Sequence, residues 1–369
     1  MPNREYNLPE YPCKEDMWDN LAKESRPIIV YGMGNGADKL FRRFEKYGIT
    51  VSDIFASDGF VRGHEFHGMR VKSFSEIKAE YSDFVIILSF ASSRPEVLDM
   101  LRKIDSEYEM YIPDMPVAGE EEYFDKDFYN ANYDSIKKAF ETLSDEESRR
   151  CFCSIVNYKL SGKMSYLNES LSDKASMYSL IGKERVLSYI DAGAYNGDTL
   201  REAMENFPNL KKAYLIEPDS KNFKKLNKFV ENIEQIDIKL YNAALWREAG
   251  FAEFSSGGNR NSSVNSTKSY ENKTDTVRLI SIDEILPEGV DYVKYDVEGA
   301  EYEALVGSEG VIDNFNPVLL VSLYHRSRDI FFLINYLRER YAEKYEFHLL
   351  RLPSVPAWEI NLIALPSGT

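Results

Sequence analysis

Three carboxylates, Asp296, Glu298 and Glu301, fall close together in the segment DYVKYDVEGAEYEALVGSEGVI, residues 291–312. The run before them reads as a strand ending at Asp296, and Leu305 and Val306 form the inward side of a following helix. In open α/β sheets, ligands bind beyond the carboxyl ends of the strands, which places Asp296 at a site. Glu301 also fits a second role, as a helix N-terminal charge beside the macrodipole. Carboxylates Asp296 and Glu298 could hold Mg²⁺, but the sequence carries no metal-specific signature, and no metal is expected. His325, in LYHRSRD just past the next strand, is the first candidate for a general base, with Asp296 the second.

A second stretch, YIDAGAYNGDTLREA from Tyr189 to Ala203, reads as a buried strand, a glycine turn and a helix. Asp191 sits at the strand end. Gly193 and Gly197 let the backbone turn tightly and approach a ligand closely. Thr199 and Glu202 have capping-box spacing for the helix. The next strand, AYLIEPD, ends in Glu217 and Pro218, where an acid can accept both hydroxyls of a ribose. IDIKLYNAALW follows, with Ala243 and Ala244 at its end, small enough for an adenine to lie flat. Together these residues describe an adenosine site. NAD also has a ribose held by an acid about 20 residues past its glycines. Here, however, the spacing is G-x-x-x-G rather than G-x-G-x-x-G, so the diphosphate cradle is missing. Asp191 and Asp198 suit a sulfonium ligand with an amino group, which favours S-adenosylmethionine.

Two strand-and-helix modules position these residues. RPIIVYGMGNGADKLFRRFEKYG reads as strand, glycine turn and amphipathic helix, with Leu40, Phe41, Phe44 and Tyr47 at helical spacing. VSDIFASD and DFVIILSF are further strands, and EVLDMLRKI a helix, which implies a parallel sheet with helices on its faces. The module spans residues 1–118 as a Rossmann-like domain. Its turn, G-x-G-x-G-A with Asp58 after the second strand, fits either a bound nucleotide or a scaffold that presents substrate or forms a homodimer. His64 and His67 read as a surface loop. Residues 119–185 are a helical connector, with Ser144 and Glu147 at capping-box spacing, and residues 186–369 form the second module. SSGGNRNSSVNSTKSYENKTD, residues 255–275, reads as a polar surface loop.

Bulk properties narrow the function classes. The 369 residues carry a net charge of −16 and no long Lys/Arg run, which argues against nucleic acid or an anionic membrane as the main partner. Cys13, Cys151 and Cys153 form neither a disulfide framework nor a zinc quartet. No apolar run is long enough to span a membrane, and the start lacks a signal peptide, so a soluble cytoplasmic protein is expected. The abundant Tyr and Phe read as core packing, with stacking walls for a sugar as the alternative.

IDAGAYNGDT, LIEPD, the Ser281-Ile282-Asp283 turn and VKYDVEGAEYEALVG followed by NPVLLVSLYHR resemble the FkbM family of S-adenosylmethionine-dependent methyltransferases over about residues 165–365. The resemblance implies a class I methyltransferase sheet of seven strands whose last is antiparallel, with EFHLLRLP and EINLIALP as the final two. By position it implies that Asp191, Gly193, Ala194, Tyr195 and Gly197 line the methionine side. Glu217 would hold the ribose, Ala243 would lie near the adenine, and Asp296 would face the methyl end. Ser322 stands where an acid is expected, and Tyr295 where a small aliphatic residue is. The expected activity is O-methylation of a hydroxyl on a sugar or secondary metabolite, a small-molecule or glycan acceptor. A non-catalytic nucleotide-sugar module and, third, an NAD-dependent oxidoreductase remain as alternatives.

Overall fold

The computed structural model describes residues 7–61, 63–118, 122–255, 274–286 and 288–368. In the first module, β1 (Ile28–Tyr31), β2 (Asp53–Ala56), β3 (Lys72–Ser73), β4 (Val85–Leu88) and β5 (Met110–Tyr111) form a parallel sheet in the order β3-β2-β1-β4-β5. Strands β1, β2 and β4 are buried along their whole length; β1 and β4 are continuous apolar runs, as a sheet covered on both faces requires, and β2 opens with Asp53, which pairs with Lys72. Helix α1 (Asn35–Tyr47) covers one face and α2 (Pro95–Glu107) follows β4. Gly36, at the start of α1, lies so close to the Ser89 carbonyl that an added Cβ would overlap it. Close helix–strand packing therefore accounts for this glycine without a nucleotide.

The connector is helical between residues 126 and 181, ending in α3 (Lys174–Ile181). The helix Glu146–Ser161 is capped by Asp145, which accepts from Ser148 N–H, and not by Ser144. The Ser144 hydroxyl accepts instead from Phe347 N–H, at 2.8 Å, in the final hairpin. A single buried cluster runs from the first sheet through the connector into the second, so the three parts share one core.

The second sheet contains β6 (Ser188–Ala192), β7 (Lys212–Ile216), β8 (Asp237–Tyr241), β9 (Tyr292–Tyr295), β10 (Val318–Ser322), β11 (Tyr345–Arg351) and β12 (Ile360–Pro366). Their order is β8-β7-β6-β9-β10-β12-β11. The first five are parallel, and β12 runs antiparallel to both β10 and β11, as the resemblance implies. The order reverses between β6 and β9, which makes their carboxyl ends the switch point where such sheets take ligands. Ala244–Leu245 leaves this sheet and joins a small one with Gly250–Ser255 and Thr274–Ile280. Most of the polar segment expected as a loop, residues 256–273, lies outside the described residues. No described helix is long and apolar enough to cross a membrane.

The first module closes over the carboxyl ends of the second sheet. Ser92 and Val355 exchange backbone hydrogen bonds of 2.7 and 2.9 Å. Val117 and Ala118 both donate to the His325 carbonyl, at 3.1 and 2.9 Å.

Candidate active site

A cavity of about 700 Å³ opens at the switch point. Gly193, Tyr195, Glu217, Pro218, Ala243 and Asp296 all line it. Asp191, Ala194 and His325 are wholly enclosed, and they support this wall from behind. Gly197 has φ +91° and caps helix α4 (Asp198–Asn206) in place of Thr199, with the Phe229 ring packed against it. The spacing from Thr199 to Glu202 is therefore not a capping box, and Glu202 pairs with Lys174 at 2.5 Å.

Gly193 is required twice over. Its φ is +90°, and an added Cβ would overlap the Asp296 carbonyl oxygen. Tyr195 adopts φ +47° and donates its N–H to Glu217 Oε2 at 2.9 Å. Glu217 Oε1 accepts from Asp219 N–H at 2.8 Å. The carboxylate at the end of β7 is thus fixed by two backbone donors while facing the cavity. Burial outweighs those donors and pushes its carboxyl up to about 7.

The register of the sheet builds a charged floor. Lys294 on β9 lies opposite Asp191 on β6. Alternate residues of a strand share a face, so Lys294 and Asp296 also point together. The Lys294 ammonium is 3.4 Å from Asp191 and 3.2 Å from Asp296. Burial pushes the Asp191 carboxyl up to about 6, with Lys294 opposing the rise. Burial also works against charge on Asp296, but Lys294 and then His325 hold it down to about 2. Tyr324 adds a hydroxyl bond to Asp296 at 3.0 Å.

His325, just past β10, is buried behind the cavity wall among three carboxylates. Its Nδ1 lies 2.9 Å from Glu301, and its Nε2 lies 3.5 Å from Glu298 and 3.6 Å from Asp296. Burial favours the neutral ring, but Glu301, followed by Glu298 and Asp296, raises its pKa to about 10. A shift in that direction favours the protonated imidazole at neutral pH. Glu301, the first residue of helix Glu301–Val306, also takes Val297 N–H at 2.9 Å and Gly299 N–H at 3.3 Å. Its role is structural: it shapes the turn and charges the histidine.

Of Asp296, Glu298 and His325, Glu298 is the one whose titration falls nearest neutrality. It lines the cavity with φ +54°, and burial pushes its carboxyl up to about 8. Glu359, at φ +59°, and Tyr195 also line the cavity, so three of the five described non-glycine residues with positive φ meet there. Strained backbone of this kind clusters at functional sites. Ser322 is buried in register with Asn361 of β12, and Tyr295 is buried in the core.

The sequence reading missed Lys294, Tyr324, Glu359 and the α2 face. The alternation from Lys294 to Asp296 was a usable signal for the first of these. No local pattern could bring α2 to this cavity, because that contact is made across the modules.

One family model and one solved structure agree with this architecture. Residues 191–347 match the family model described as the Methyltransferase FkbM domain. A solved structure, the Methyltransferase FkbM from Methylobacillus flagellatus KT, is similar with a TM-score of 0.67 at 18% identity, over 92% of this chain and 90% of that one. An rRNA methylase from Streptococcus thermophilus matches with a TM-score of 0.34 at 11% identity, over 52% of this chain and 93% of that one. Fibrillarin of Aeropyrum pernix, in complex with natively bound S-adenosyl-L-methionine, matches with a TM-score of 0.32 at 16% identity, over 52% and 74%. No curated protein matches the chain.

Proposed function

Because residues 191–347 belong to the FkbM methyltransferase family, we propose that the chain is an S-adenosylmethionine-dependent methyltransferase acting on a hydroxyl of a sugar or secondary metabolite. One observation carries the reading: the Glu217 carboxylate, fixed by Tyr195 and Asp219 N–H, faces the same cavity as Gly193 and Asp296. The residues fit such a cofactor. Glu217 keeps lone pairs for the two ribose hydroxyls. Ala243 offers a small surface to an adenine, and Gly193 lets the turn pack closely against the Asp296 carbonyl at the cavity wall.

When bound, the cofactor supplies an electrophilic methyl group on a positively charged sulfur. The chain's own work is then mainly positioning. Asp296, held ionised by Lys294 and His325, supplies fixed negative charge beside that end of the cavity. Asp198 faces the cavity from the start of α4 and suits an amino group. A hydroxyl acceptor loses its proton as it reacts, and a base with a pKa near the working pH serves best. Glu298 meets that requirement with its carboxylate, whereas Asp296 is too acidic and the carboxylates around His325 favour its protonated form. His325 acts as a positioning residue for Asp296 and Glu298.

Titrating S-adenosylmethionine into the chain by calorimetry tests the reading. Saturable heat is expected for the native chain and none for Gly193→Arg. Absence of heat from the native chain would contradict it.

A further inference from the structure

The cavity has two halves. Gly193, Tyr195, Glu217 and Ala243, at the ends of β6, β7 and β8, form the half described above. The other half lies over β9, β10 and β12, where Glu298, Tyr324, Glu359 and Asn361 line it. Its roof comes from the first module. Pro95, Leu98, Asp99 and Arg102 recur at helical spacing, so one face of α2 covers it. Lys174, Met177 and Tyr178 present a second helical face from α3.

The charge of this lining is one-sided. In this half Asp99, Glu298 and Glu359 face one cationic residue, Arg102, and across the whole cavity eight carboxylate residues face three cationic ones, Arg102, Lys174 and Lys294. Each of these cations is already paired: Arg102 with Asp99 at 2.7 Å, Lys174 with Glu202 at 2.5 Å, and Lys294 with Asp296 at 3.2 Å. A phosphate or carboxylate on the acceptor would need a guanidinium or ammonium to hold it. Among the described lining residues, each such group is engaged. The amino end of α2 would favour an anion, but Glu96 stands in its first turn. Meanwhile Glu298 and Asn361, which line this half, carry oxygens that can accept hydroxyl or ammonium protons. The Tyr324 hydroxyl bonds Asp296 and feels the charges of Glu359 and Glu298.

We infer that this half of the cavity, roofed by α2 of the first module, is an acceptor subsite that takes a neutral or amine-bearing polyhydroxylated ring and rejects phosphorylated ones. The inference rests on the methyltransferase reading, and it makes the first module a wall of the acceptor site.

The test uses the full chain with saturating S-adenosylhomocysteine, whose binding is first measured by calorimetry. D-glucosamine, D-glucose and D-glucose 6-phosphate are then titrated by saturation-transfer NMR. Glucosamine is expected to bind at least tenfold more tightly than glucose 6-phosphate, with a gap that narrows as salt is raised. Glu359→Gln and Asp99→Asn, folded by circular dichroism, are each expected to reduce that gap at least twofold. If S-adenosylhomocysteine binds but the phosphate sugar binds as tightly as the amine, the subsite assignment falls and the methyltransferase reading stands. The same holds if none of the three sugars binds. If S-adenosylhomocysteine itself fails to bind, both fall.

Discussion

Replacing Glu217 by Gln isolates the carboxylate on which the cofactor reading depends. In the native chain both oxygens of Glu217 accept backbone N–H groups, at 2.9 and 2.8 Å, and the same carboxylate faces the cavity. A hydrogen bond to a charged group contributes about 1.5–3 kcal/mol. Losing the charge should therefore weaken S-adenosylhomocysteine binding by roughly 10- to 150-fold. Gln also turns an NH₂ group towards one backbone donor. That buried N–H loses its acceptor, which costs about 1–3 kcal/mol of stability. A second signature follows from the carboxyl being pushed up to about 7 by burial. Ribose hydroxyls bond the ionised form, so binding below that pH requires loss of a proton. Native affinity should be about tenfold weaker at pH 6 than at pH 8 and level off above, while the Gln variant loses this dependence. Calorimetry at both pH values reads each quantity. A variant that binds within twofold of the native chain, with the native pH dependence intact, would refute the assignment of Glu217.

Further expectations concern the floor of the site. Lys294→Met leaves Asp191 and Asp296 without their shared cation, and removing one partner of a buried ion pair costs roughly 3–5 kcal/mol, measurable by urea unfolding; adding Asp191→Asn should restore part of the loss. Gly193→Ala places a side chain against the Asp296 carbonyl at φ +90°, so the variant should melt at a lower temperature and show no thermal shift with S-adenosylhomocysteine. The folded pKa of His325, about 10, lies above its ordinary value of 6.5. Its ion pairs therefore stabilise the fold fully below pH 6.5, and that contribution fades as pH rises through 10. The stability gap between native chain and His325→Gln should accordingly be widest near pH 6 and narrow towards pH 10, by urea unfolding at each pH.

The fold was largely legible in the sequence because its signals are local. Continuous apolar runs such as VIIL (85–88) and VLLVS (318–322) gave buried strands, and glycine turns followed by amphipathic helices gave the parallel order. That these strand ends meet at one cavity was legible for the same reason. Gly193, Glu217 and Asp296 each directly follow a strand, and topology brings strand ends together. Helix starts were harder to read. Ser144 and Thr199 had the right spacing, but Asp145 and Gly197 occupy the caps. The surroundings of the candidate base were not legible, because the state of a histidine depends on what encloses it. His325 packs against Glu301 and beneath the backbone of Val117 and Ala118, contacts that no linear pattern displays. The roof of the acceptor half depends likewise on α2, which lies about 200 residues upstream of the strand ends it covers.

A crystal structure of the chain soaked with S-adenosylhomocysteine tests the central claim most directly. The account predicts both ribose hydroxyls within hydrogen-bonding distance of Glu217, the adenine against Ala243, and the sulfur directed towards Asp296 and Glu298. Ligand density elsewhere, with the Glu217 carboxylate meeting no ribose, would contradict it.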